Sequence, residues 1–102
     1  MVLFLDSFKK VRNNEVKALL LIDRNKVENA EKVLLRNLRI GTESTLTYDL
    51  LIRVYNQKED YLSLIKTLNT GIKKTSNKDF YRKLKKTVIL SKLLQDIEDL
   101  SN

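Results

Sequence analysis

The sequence predicts an all-α protein: two stacked antiparallel helical hairpins flanked by an N-terminal and a C-terminal helix. Three observations predict it. The 102 residues contain no proline and only two glycines, whereas sandwiches and barrels need frequent Gly/Pro turns. Apolar residues recur at i, i+3, i+4, i+7 along most of the chain, the signature of a helical stripe. Two stretches, LLRNLRIG (34–41) and LIKTLNTG (64–71), nearly repeat one another thirty residues apart, as the ends of two copies of one hairpin would. A single domain, 1–102, fits this length. Its 42% hydrophobic content is enough for a modest core and argues against disorder.

Each element follows from spacing. Phe4, Phe8 and Val11 mark one face of a short helix over 2–12, and Asn13-Asn14 predicts a turn or N-cap after it. Val16, Leu19, Leu20 and Ile22 predict a helix over 15–24. Ala30, Val33, Leu34 and Leu38 predict a second over 27–39, with Gly41 at the left-handed stop. Tyr48, Leu51, Ile52 and Tyr55 stripe a helix over 45–56, and Tyr61, Leu64, Ile65 and Leu68 repeat that spacing over 60–73, where Gly71 could close the run. Ser76 and Asp79 have capping-box spacing before a last helix over 78–100. The expected total is about six helices, with hairpins at about 15–41 and 45–73. One hairpin cannot bury its own stripe, but two stacked hairpins with helical lids share a core.

Residues 48–76 resemble a tetratricopeptide repeat. Tyr48, Leu51, Tyr55, Tyr61 and Leu68 fall on that family's bulky and aromatic positions. The departures are Ile52, Leu64 and Gly71 at its small positions and Ser76 at its closing proline. In the first hairpin only Ala30 and Leu34 match, and the period of about 30 differs from the family's roughly 34. The segment LTYDLLIRVYNQKEDYLSLIKTLNTGIK (46–73) is also partly similar to the RNA-binding pentatricopeptide relative. The resemblance implies a helical stack that binds a partner rather than transforming a substrate.

The residue inventory points the same way. There is no histidine and no cysteine, so the usual bases, nucleophiles and soft metal ligands are missing. Both glycines sit at predicted helix ends, which does not make a phosphate-cradling loop. Adjacent acids such as Glu59/Asp60 and Glu98/Asp99 point to different helix faces and make poor acid/base pairs. We therefore expect no enzyme activity, no cofactor and no metal. The opening MVLFLDSFKK lacks a basic leader and carries only a five-residue apolar run, so no signal peptide or membrane span is expected and an intracellular, cytoplasmic location is the default.

Charge is concentrated. Of the net +7, residues 66–92 hold nine cations and one acid, residues 1–65 eleven cations and nine acids, and residues 93–102 three acids. Such an excess can be plain solvated lysine, but on the last helix Lys78, Arg82, Lys85 and Lys86 share an arc of roughly 100°. Lys83 flanks it, and Lys73 and Lys74 enter from the preceding turn. That face suits phosphates or an acidic protein partner. Phe80 and Tyr81 are expected on the core-facing side with Leu84 and Val88, which leaves no base-stacking platform.

The apolar stripe of the last helix then changes sides: Ile89, Leu90, Leu93, Leu94, Ile97 and Leu100 lie roughly opposite Tyr81, Leu84 and Val88. One straight helix cannot bury both faces in one stack. Either it breaks near Thr87–Ser91, or residues 89–100 cover Phe4 and Phe8 of the N-terminal helix, or they dock on another protein or a second copy. The expected role is a non-catalytic interaction or scaffold subunit; the alternative is a nucleic-acid-associated protein holding phosphates through residues 73–86.

Overall fold

The computed structural model describes the backbone of residues 2–101 and the side chains of residues 6–101. It contains five helices: α1 (Val2–Asp23), α2 (Val27–Ile40), α3 (Thr45–Lys58), α4 (Tyr61–Lys74) and α5 (Lys78–Ser101). Among the described residues there is no strand. α1/α2 and α3/α4 form two hairpins, α3 packs on both α1 and α2, and α5 packs on α4. The expected all-α stack of two hairpins with flanking helical segments is the architecture present.

Two helices were expected where one stands. Asn13-Asn14 makes no turn, and α1 runs unbroken for 22 residues. The reason is tertiary: the Asn14 side chain donates 2.8 Å to Asn37 Oδ1 on α2, so its amide is used across the hairpin rather than in capping its own chain. The Phe4 side chain lies outside the described residues.

The hairpins repeat at 34 residues rather than 30. The second helices begin at Val27 and Tyr61 and end at Ile40 and Lys74. The non-glycine turn residues with positive φ are Asn25 and Glu59. The buried set Ala30, Val33, Leu34, Asn37 falls, 34 residues on, upon Leu64, Thr67, Leu68, Gly71. A slip of four residues is close to one helical turn, so the thirty-residue text match keeps the apolar stripe nearly in phase while pairing the wrong positions.

The two glycines accordingly do different jobs. Gly41 sits at φ 83°; its N–H reaches Leu38 O at 2.9 Å and the N–H of Thr42 reaches Asn37 O at 3.2 Å, the Schellman closure. Gly71 closes nothing. It lies buried inside α4, where a Cβ would stand 3.0 Å from the Tyr81 ring. α4 ends instead at Thr75, whose N–H and hydroxyl both donate to Gly71 O, at 3.0 and 2.8 Å.

The core is one cluster running through the stack, with Leu34, Tyr48, Leu51, Leu68 and Tyr81 fully buried. Where α1, α2 and α3 meet it turns polar. Asn37 Nδ2 donates to Val11 O (3.0 Å) and Thr47 Oγ1 (3.1 Å), and the hydroxyls of Thr47 and Ser44 donate to Glu15 Oε2 at 2.7 and 2.6 Å. Every buried side-chain polar atom among the described residues has a partner, so this network fixes the angle between hairpins instead of weakening the core.

Candidate interaction surface

α5 is anchored at its N-terminal half. Tyr81 is buried against Gly71, and its hydroxyl donates 2.8 Å to Asp49 Oδ1 and 3.2 Å to Thr45 O on α3. Burial first, and then the Asp49 carboxylate, pushes the Tyr81 phenol well above its ordinary range. Leu84 and Val88 pack beside it. Phe80, expected on this side, is 52% exposed. Its ring meets Tyr81 in an edge contact, 5.6 Å between centroids.

The cations divide into three groups. Lys73, Arg82, Lys85 and Lys86 line one open groove between α4 and α5, about 700 Å³ in volume, floored by Asn69, Ile72 and Ile89. Lys78 stands apart from it: its Nζ donates 2.7 Å to Ile72 O and 3.4 Å to Lys73 O. A cation placed there satisfies the open carbonyl end of α4 and its dipole, so its role is structural. Lys74 and Lys83 are exposed but do not line the groove. Arg82 is shared with the exposed Asp79 at 3.3 Å, a pair weak enough to open for another anion.

The apolar residues stay together. α5 does not break near Thr87–Ser91; it is continuous to Ser101. Nor does it pack on the described residues of the N-terminal helix, since its distal half is uncovered. Residues 93–101 are exposed throughout. Ile89 is half-buried at the groove, while Leu90, Leu93, Leu94, Ile97 and Leu100 are 53–87% exposed. By helical geometry these five occupy an arc of roughly 120°, centred about 170° from the Tyr81–Leu84–Val88 face.

Sequence reasoning missed Glu15 and Asn37, because single polar residues inside a helical pattern carry no periodic signal, and it assigned Gly71 to a helix stop instead of the contact with Tyr81. Glu15 also lines a cleft of about 540 Å³ with Phe8, Arg12, Ile40 and Thr42. The two hydroxyl donors already on its carboxylate mark it as an internal tie. Among the described residues no helix is long and apolar enough to cross a membrane. Comparisons of the chain with protein-family models, with curated proteins and with solved structures find no match.

Proposed function

We propose that this chain is a non-catalytic interaction or scaffold subunit of a larger assembly: a tetratricopeptide-like helical stack whose docking element is the distal half of α5. The observation that carries the reading is the row of five large apolar side chains, 53–87% exposed, on the unpartnered end of a long helix. A contiguous apolar row of this kind on a monomer marks an interaction site. The 34-residue offset between the hairpins supports the tetratricopeptide-like part of the reading, since that is the family's period. The helix is continuous to Ser101 within the single chain, so little ordering cost falls on association.

The test compares wild type with Leu93→Glu/Ile97→Glu. Tagged protein is incubated with its own cell extract, half of it nuclease-treated, after circular dichroism has verified equal helicity. Partners that survive nuclease and vanish with the double variant support the reading. Partners retained by the variant sink it.

A second reading rests on the groove. Four cations line one concave surface inside the block that carries most of the excess charge, which suits the phosphates of RNA or a ribonucleoprotein. Partners lost on nuclease treatment would favour it. Lys85→Glu/Lys86→Glu should then abolish binding, and single neutral substitutions should each reduce the salt slope by about 1.

A further inference from the structure

We infer that the distal half of α5 pairs with the same segment of a second copy of this chain, the two helices running antiparallel about a two-fold axis near Leu94–Gln95. The inference rests on the docking-face reading above and assigns its occupant.

Spacing comes first. Leu90, Leu93, Ile97 and Leu100 step by three, four and three residues, the alternation of a two-helix seam. With the helices antiparallel, Leu90 meets the partner's Leu100 and Leu93 meets the partner's Ile97. Every layer is then apolar on both sides, and Leu94 flanks the axis next to the partner's Leu94. The contact is self-complementary and closes at two copies.

Charge selects the direction. Residues 78–92 hold six cations and one acid, and residues 93–102 hold three acids and no cation. Antiparallel pairing lays each acidic end toward the partner's basic half, whereas parallel pairing sets acid beside acid. Asp96 is the one acid brought near its own symmetry mate, and Lys92 already pairs with it at 3.2 Å within the helix.

Area is sufficient. At roughly 180 Å² for a fully exposed leucine or isoleucine, the observed exposures leave about 580 Å² available per copy. A two-fold pair that covered all of it would bury about 1,150 Å², at the ~1,200 Å² lower edge of specific interfaces. The stripe lies roughly opposite the face of α5 that packs on α4, so the partner helix approaches from the side away from the stack.

The purified full chain tests this by sedimentation equilibrium and by cross-linking. The average mass should rise from 12.0 kDa toward double that between ~5 and ~200 µM, the range for an interface at the small end of the scale. The double variant Leu93→Glu/Ile97→Glu should stay monomeric with unchanged helicity. Because the chain has no cysteine, L93C and I97C each introduce a unique thiol. An equimolar mixture should oxidise to the mixed dimer, and each alone should remain largely uncross-linked. Self-linked L93C would show parallel helices and overturn the inference. A ladder of open oligomers would overturn it by showing α5 docked on a different surface of the next copy. A monomer at every concentration would also overturn it, leaving the docking face to be tested against other proteins. If the double variant loses its helical signal, the stripe belongs to the fold, and both this inference and the reading beneath it fall.

Discussion

The stack has two joints at which a hairpin hands over to the next helix, and they are built from opposite chemistry. In the first, Asn37 of α2 donates 3.1 Å to Thr47 of α3. In the second, Gly71 of α4 lies bare against the ring of Tyr81 of α5, 3.0 Å from where a Cβ would stand. The pairs occupy equivalent places, with 34 residues separating Asn37 from Gly71 and Thr47 from Tyr81. The 34-residue offset thus places both crossings at equivalent positions, one built on polar specificity and the other on apolar area. The first joint, tied through Asn14, Val11 and Glu15, locks three helices in one orientation. The second is centred on one aromatic plug, with Leu84 and Val88 beside it, that holds one helix by its near end and leaves the far end uncovered.

That asymmetry should appear first in the plug. Tyr81→Ala removes the largest side chain at the second joint and is expected to cost about 3–5 kcal/mol in urea unfolding, the range for truncating a buried aromatic. Tyr81→Phe keeps the ring and loses only the bonds to Asp49 and Thr45, about 1 kcal/mol. If the alanine variant costs no more than the phenylalanine one, the ring is not what holds α5. At the first joint, Asn37→Leu preserves volume but strands the amide of Asn14 and removes the side-chain donors to Val11 O and Thr47 Oγ1, an expected loss of about 2–3 kcal/mol. A loss below about 1 kcal/mol there would mean that water replaces the network and the joint is not specified by it.

The two glycines sharpen the contrast further. Gly71→Leu drives a side chain into the Tyr81 ring, an expected cost of about 1–3 kcal/mol from overpacking. Gly41→Ala meets nothing within 4 Å, so its expected cost, about 1 kcal/mol, is that of a left-handed backbone alone. Asparagine separates the cases, since it tolerates the left-handed conformation: Gly41→Asn should recover most of the loss, and Gly71→Asn should recover none. Equal responses at both positions would break the claim that one glycine turns the chain and the other admits a ring.

What the sequence revealed and concealed divides along the same lines. The helices after Asp23 and the exposed stripe on α5 were legible because a 3.6-residue period survives any tertiary context. Asn13-Asn14 was misread because an amide that looks like a cap from its neighbours is, in Asn14, a bond to α2. The 34-residue offset was hidden by a four-residue slip that keeps leucines in phase. The basic groove was legible only as an arc on one helix. Lys73 joins it as expected, but Lys74 stays out of it and Lys78 leaves it for the carbonyls of α4, two facts that depend on how the chain returns rather than on its spacing.

The smallest expected effect concerns why the stack stops. Tyr48, Leu51 and Ile52 are buried on α3; 34 residues on, their places are taken by Arg82, Lys85 and Lys86. α5 thus stands where the first helix of a third hairpin would begin, with charge on positions that a following helix would otherwise cover. Terminal elements of a stack need such a polar outer face. Arg82→Tyr/Lys85→Leu restores the α3 pattern at exposed or half-exposed sites, so monomer stability should move by no more than about 0.5 kcal/mol. Association should change instead: the variant should self-associate in high salt through the groove even when Leu93→Glu/Ile97→Glu has removed the distal stripe. A quadruple variant that remains monomeric would mean that charge at these positions does not end the stack, and that the groove cations are retained for what they bind.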